Sequence, residues 1–143
     1  MSKILLDTNI LIHQMQPLSP DHGKVNNDIK KFLMNGDDLI VCPQVLRECY
    51  AVMTRPIASN GLGLSYSDAN NNLQQLETTY KLINDQPMIY STWKNLILRF
   101  NVVGRNAHDT NIAAFMIDHS IDAIYTKNVK DFKRFNTLIN IIS

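Results

Sequence analysis

Five short apolar runs recur along this 143-residue chain, and helical patterns lie between them. The runs are "KILLD" (Lys3 to Asp7), "DLIVC" (Asp38 to Cys42), "NVVG" (Asn101 to Gly104), "DAIYT" (Asp122 to Thr126) and "INIIS" (Ile139 to Ser143). Runs so short and so uniformly apolar suit strands buried on both faces, and parallel sheets need helical crossovers between such strands. The connecting segments carry the required pattern. "NILIHQM" follows the first run, and "PQVLRECYAVM" follows the second, with Pro43 at a first helical position. After a Gly-containing loop, "RPIASNGLGLS" (Arg55 to Ser65), the spacing predicts a helix over "SDANNNLQQLETTYKLI". Ser67 would cap it, and Ala69, Leu73, Leu76, Tyr80 and Ile83 would lie along one face. "MIYSTWKNLILRF" (Met88 to Phe100) places Ile89, Trp93, Leu96, Ile97 and Phe100 at helical spacing, as the second arm of an antiparallel pair. "AHDTNIAAFMIDHS" and the shorter "VKDFKRF" precede the last two runs. The expected fold is an α/β three-layer sandwich with a mainly parallel central sheet flanked by helices, whose ligands sit at the carboxyl ends of the strands.

With 45% apolar residues and no linker or repeat, residues 1–143 are expected to form one domain. The first residues lack the pattern of a cleaved leader, and no apolar run approaches the ~20 residues that cross a bilayer, so a cytoplasmic location without membrane association is expected. Cys42 and Cys49 have neither a CxxC spacing nor the His or Cys partners of a zinc set, and read as buried free thiols. The net charge of +1 excludes nothing, but "KNVKDFKRF" (Lys127 to Phe135) groups Lys127, Lys130, Lys133 and Arg134 around one acid. Either a solvated helix face or a phosphate contact would account for that stretch.

The acids are more informative. Asp7 ends the first apolar run, where an unpaired buried charge costs several kcal/mol, on the order of 3 or more. Glu48 follows Val45 by three residues and precedes Val52 by four, so it shares a face with apolar neighbours. Asp109 aligns with Ile112, Ala113 and Met116, and Asp131 lies five residues beyond "AIYT" with Asn128 between. Asp109 and Asp131 each also suit the first turn of a helix, which the macrodipole favours by ~0.3–1 kcal/mol. Together, however, four carboxylates on one rim would repel one another, and a hard divalent cation relieves that repulsion. Oxygen donors alone select Mg²⁺ or Mn²⁺. His13, His22, His108 and His119 have no zinc spacing and read as packed or surface residues.

"LLDTNIL", Glu48 in "VLRECYAVMTRP", "NGLG", "AHDTNIAAFM" and "YTKNVKDFKRF", in that order over nearly the whole chain, resemble the motifs of the PIN-domain nucleases, in particular the VapC-type toxin ribonucleases. The resemblance implies a parallel sheet with flanking helices and metal-dependent cleavage of RNA phosphodiester bonds. It also implies a homodimer restrained by a small cognate antitoxin. Carried onto this chain, Asp7, Glu48 and Asp109 match the acidic metal set, Asp131 a fourth acid, and Asn9 and Thr126 its polar supports. Asn128 stands where many relatives have an acid, and brings a carbonyl oxygen without charge. Arg47, Arg105, Lys127 and Lys130 are candidate contacts to the RNA backbone.

Three other readings share parts of this pattern. An aspartyl-phosphate phosphatase would want a second acid at position 9, where this chain has Asn9. A non-catalytic RNA-binding module of the same fold would lack one of the acids. A DNA-directed or housekeeping nuclease shares every argument about metal and phosphate, and only the resemblance favours RNA. An inserted Arg or Lys from an inhibitor would pair well with the acidic rim, supported by a segment lying in an apolar groove between the two helical arms.

Overall fold

The computed structural model describes residues 1–143. The chain runs β1 (Lys3–Leu6), α1 (Thr8–Met15), α2 (His22–Met34), β2 (Asp38–Val41), α3 (Pro43–Thr54), a 3-10 turn at Ile57–Ser59, and α4 (Tyr66–Thr79). It continues through β3 (Lys81–Leu82), α5 (Ile89–Phe100), α6 (Asn106–Asp118), β4 (Ala123–Tyr125), α7 (Val129–Phe132), a 3-10 turn at Lys133–Phe135, and β5 (Asn140–Ile142). All strand pairs are parallel, in the order β3-β2-β1-β4-β5. β1 is therefore central, with Leu5 facing Ile40 on one side and Ile124 on the other, which is why its residues read as a continuous apolar run.

From β1 the chain moves outward through β2 to β3, then crosses back to β4 on the other side of β1. Right-handed crossovers turn this reversal into two helical layers on opposite faces. The helix contacts divide accordingly: α1 packs with α2 and α3, and α3 with α4, while α6 packs with α5 and α7. The reversal leaves a crevice beyond the carboxyl ends of β1 and β4. No helix is long and apolar enough to cross a membrane.

Four local expectations are corrected. "NVVG" is not a strand: Asn101 (φ 52) and Gly104 (φ 66) are left-handed, and the segment is the turn from α5 to α6. The fifth strand is instead Lys81–Leu82, beside Ile40 and Val41, because the expected long helix stops at Thr79. Tyr80 there turns inward and donates its hydroxyl to Gln14 Oε1 at 2.6 Å. Ser65 caps α4 in place of Ser67, accepting from Asp68 N at 3.1 Å. The helical arms do not pair with each other, since α4 lies on α3 and α5 on α6. Helix α2 was not legible in the sequence: only Val25 and Ile29 are fully buried along its 13 residues.

The "NGLG" loop returns tightly on α3. A Cβ at Gly61 would stand 2.0 Å from the Arg55 carbonyl oxygen, so only glycine fits.

Candidate active site

Asp7 is the residue after β1, at the central strand's carboxyl end, and the N-cap of α1. Its backbone N donates to Tyr125 O at 3.0 Å, tying it to β4, and its Oδ1 accepts from Thr8 N at 2.8 Å. Oδ2 accepts from Thr126 Oγ1 at 2.7 Å and Asn9 Nδ2 at 3.2 Å. Thr126 is fully buried and Asp7 is only 5% exposed. Burial raises the Asp7 pKa above the usual carboxylate range, assisted by the nearby charge of Glu48 and opposed by the donors Thr126, Thr8 and Asn9. Asn9 extends the frame by accepting from Lys127 N at 2.9 Å, and Thr126 Oγ1 accepts from Asn128 N at 2.9 Å. The loop after β4 is thereby fastened to the start of α1.

Glu48, on α3, is held by two residues that sequence reasoning did not select: Thr8 Oγ1 donates to Oε2 and Gln44 Nε2 to Oε1, each at 3.0 Å. Gln44 Nε2 also reaches His108 O at 2.9 Å, and Gln44 Oε1 accepts from Asn111 Nδ2 at 2.7 Å, so α3 and α6 are bridged beside Glu48. A polar residue one turn before Glu48 was the available signal for Gln44.

Asp109 lies in the first turn of α6. Its pKa is raised to about 6, chiefly by burial, then by the charges of Asp131, Asp7 and Glu48; Arg105 opposes the rise. Four acids from four chain segments thus share one electrostatic field. One pocket of about 510 Å³ is lined by Asp7, Asn9, Glu48, Asp109 and Asn128, together with His13 and Arg55. Asp131 is half-buried on α7 and is not part of that lining. His13 belongs to the pocket instead of serving only as packing; its Nδ1 is paired with Ser19 Oγ at 2.7 Å. Arg47, Arg105 and Lys130 are exposed and do not line the pocket, while Lys127 is half-buried, 3.9 Å from Asp21. Cys42 and Cys49 are buried and free, and burial pushes the Cys42 thiol up to about 12, which leaves it unreactive.

The donors are hard oxygens throughout, the chemistry that Mg²⁺ and Mn²⁺ accept. As the side chains lie, no three His, Cys, Asp or Glu residues stand close enough to share one ion. Asp7 is locked by its donors, whereas Asp109 has only a 3.4 Å contact from Asn106 Nδ2. The residues lining the pocket fit a divalent cation in donor type and charge.

A parallel α/β sandwich whose strand-order reversal opens onto a pocket lined by Asp7, Glu48 and Asp109 defines a class of acidic-pocket domains. Within that class the chain belongs to the PIN domain family, whose model matches residues 4–138. Among solved structures it resembles VapBC2 from Rickettsia felis bound to a DNA fragment from its promoter, with 17% identity, 99% of each chain covered and a TM-score of 0.74. It also resembles VapBC-1 from nontypeable Haemophilus influenzae, with 21% identity, 97% of this chain and 96% of that one covered, and a TM-score of 0.67. A third is VapC20 of Mycobacterium tuberculosis, described as a toxin cleaving the sarcin-ricin loop, with 14% identity, 91% and 93% coverage, and a TM-score of 0.66. No curated protein matches in sequence.

Proposed function

We propose that this chain is a Mg²⁺- or Mn²⁺-dependent ribonuclease that hydrolyses RNA phosphodiester bonds and acts as the toxin of a toxin–antitoxin pair. The observation that carries the reading is the gathering of Asp7, Glu48 and Asp109 around one pocket at the carboxyl end of β1, where burial and neighbouring charges raise the Asp109 carboxyl. Such a cluster costs the folded chain stability unless a cation compensates it. The described role of VapC20 in cleaving the sarcin-ricin loop supports RNA as substrate, and the VapBC complexes support a small antitoxin partner.

Asp7, Asp109 and Glu48 would hold the principal cation, and Asp131 with Asn128 would complete a weaker second site. Bound there, the cation would supply Lewis acidity and charge neutralisation at the scissile phosphate. Thr126 and Asn9 fix the Asp7 carboxylate, and Thr8 and Gln44 fix Glu48, which would bind the cation or position the attacking water. Arg47, Arg105, Lys127 and Lys130 neutralise the flanking phosphates. The protein acts in the cytoplasm as a homodimer. Its antitoxin inserts a basic side chain among the carboxylates and lays an apolar segment along α3 and α4. There Leu46, Tyr50, Leu73 and Leu82 line a groove of about 540 Å³, between different helices from those the sequence suggested.

The test is incubation with assorted RNAs and DNAs in Mg²⁺, Mn²⁺ or EDTA, with the cut ends mapped. RNA cleavage that EDTA and Asp7→Asn both abolish is expected. Equal cleavage of DNA would replace the substrate class, and binding without cleavage would make the chain a non-catalytic RNA-binding module. Expression with and without the neighbouring reading frame tests the toxin reading, since harmless expression of active enzyme would leave a housekeeping nuclease.

A further inference from the structure

A second cavity, of about 580 Å³, lies between α3 and the α5–α6 pair. It shares Glu48 and Ala51 with the carboxylate pocket, so the two are neighbours along one surface. Its far wall is aromatic. Trp93 donates Nε1 to Ala107 O at 2.7 Å, which satisfies the indole N–H and leaves its rings as the remaining binding surface. Tyr90 stands one helical turn earlier, 65% exposed, with its ring 5.7 Å from that of Trp93 and inclined by 31°. The near wall carries exposed Arg47, and His108 lies at the rim. The amides beside Glu48 are already paired: Gln44 bonds to Glu48, to His108 O and to Asn111.

We propose that this cavity is a nucleobase subsite, in which the base of the nucleotide next to the scissile phosphate stacks on Tyr90 and Trp93 while Arg47 meets its phosphate. The inference rests on the ribonuclease reading and adds a place for the substrate's base. An aromatic pair with one exposed ring, Tyr90, and one half-buried ring, Trp93, beside a guanidinium is the combination that single-stranded nucleic acids use, because every base offers a π face and every link a charge. An apolar helix in the same cavity would strand Arg47 and Glu48 against hydrocarbon, whereas a nucleotide supplies a phosphate to Arg47. The shared wall at Glu48 keeps base and scissile phosphate within one nucleotide's reach.

Trp93 is the only tryptophan in the chain, so its emission reports directly on the cavity. The experiment uses the full chain carrying Asp7→Asn, in Mg²⁺, titrated with a five-nucleotide single-stranded RNA and with a base-free ribose-phosphate strand of the same length. Saturable quenching by the RNA is expected, with much weaker binding of the base-free strand. Adding Tyr90→Ala should raise Kd about ten-fold, the loss of one stacked base, while Tyr90→Phe should leave it unchanged. Near-ultraviolet dichroism checks that the exposed Tyr90 substitutions preserve the fold. Equal binding of the two strands, no response to Tyr90→Ala, no quenching at all, or quenching that follows protein concentration alone and so marks a second copy in the cavity, would each overturn the subsite. Cleavage by the wild type is scored separately: a chain that cuts RNA yet fails here loses only the subsite, and one that binds as expected but cuts nothing loses the nuclease reading.

Discussion

Asp109→Asn in the metal-free protein isolates the repulsion on which the proposed chemistry depends. A carboxyl whose pKa stands at about 6 in place of 3.8 would, when ionised and wholly unscreened, destabilise the fold by about 3 kcal/mol. Asp109 is only half-buried, and solvent screening reduces this to about 1 kcal/mol. Its sign is set by proton binding. Between pH 4 and pH 6 the folded chain holds a proton at Asp109 that the unfolded chain has released, so stability falls as pH rises through that window. Asn is nearly isosteric, keeps the weak contact to Asn106, and cannot ionise. In EDTA at pH 7.5 the variant should therefore be more stable than wild type by about 1 kcal/mol, or about 3 °C in Tm, and the gap should close as pH falls from 6 toward 4. Saturating Mn²⁺ should reverse the order, since wild type gains ~2.7 kcal/mol at one hundred times Kd and the variant gains less. Thermal melts across pH, with and without Mn²⁺, measure all of this. A variant no more stable than wild type in EDTA at pH 7.5, or equal Mn²⁺ shifts in the two proteins, would refute the reasoning.

Thr126→Val removes the 2.7 Å donor to buried Asp7 and should cost about 1–3 kcal/mol in urea denaturation, with loss of RNA cleavage at unchanged metal concentration. Gly61→Ala forces a methyl against the Arg55 carbonyl and should destabilise by more than ~2 kcal/mol, read from the same titration; a neutral result would mean that the loop is free to move off α3. The free chain should scatter light as a homodimer at micromolar concentration, and a monomeric mass would remove that expectation.

The sequence by itself determined the layered α/β class. Runs such as "KILLD" and "DAIYT" are apolar on both sides only where a strand is covered on both faces, so β1, β2, β4 and β5 were legible from local pattern. Asp7 at the end of β1 and Asp109 in the first turn of α6 were equally legible, because one position follows from a strand end and the other from helical period. Tertiary structure decided the other edge strand. Lys81–Leu82 carries no strand signal, and becomes β3 because Val41 and its neighbours offer an unpaired sheet edge just where α4 ends. "NVVG" has the β-branched residues, but the left-handed Asn101 and Gly104 fold it into the turn from α5 to α6. Thr8 likewise found its role only through packing: α1 lies on α3, which brings its hydroxyl onto the Glu48 carboxylate, whereas Gln44 reaches Glu48 from one turn earlier on the same helix. Local periodicity sets which way a side chain points, but which groups meet there depends on contacts between segments distant in the chain, and a single sequence does not encode those in its local pattern.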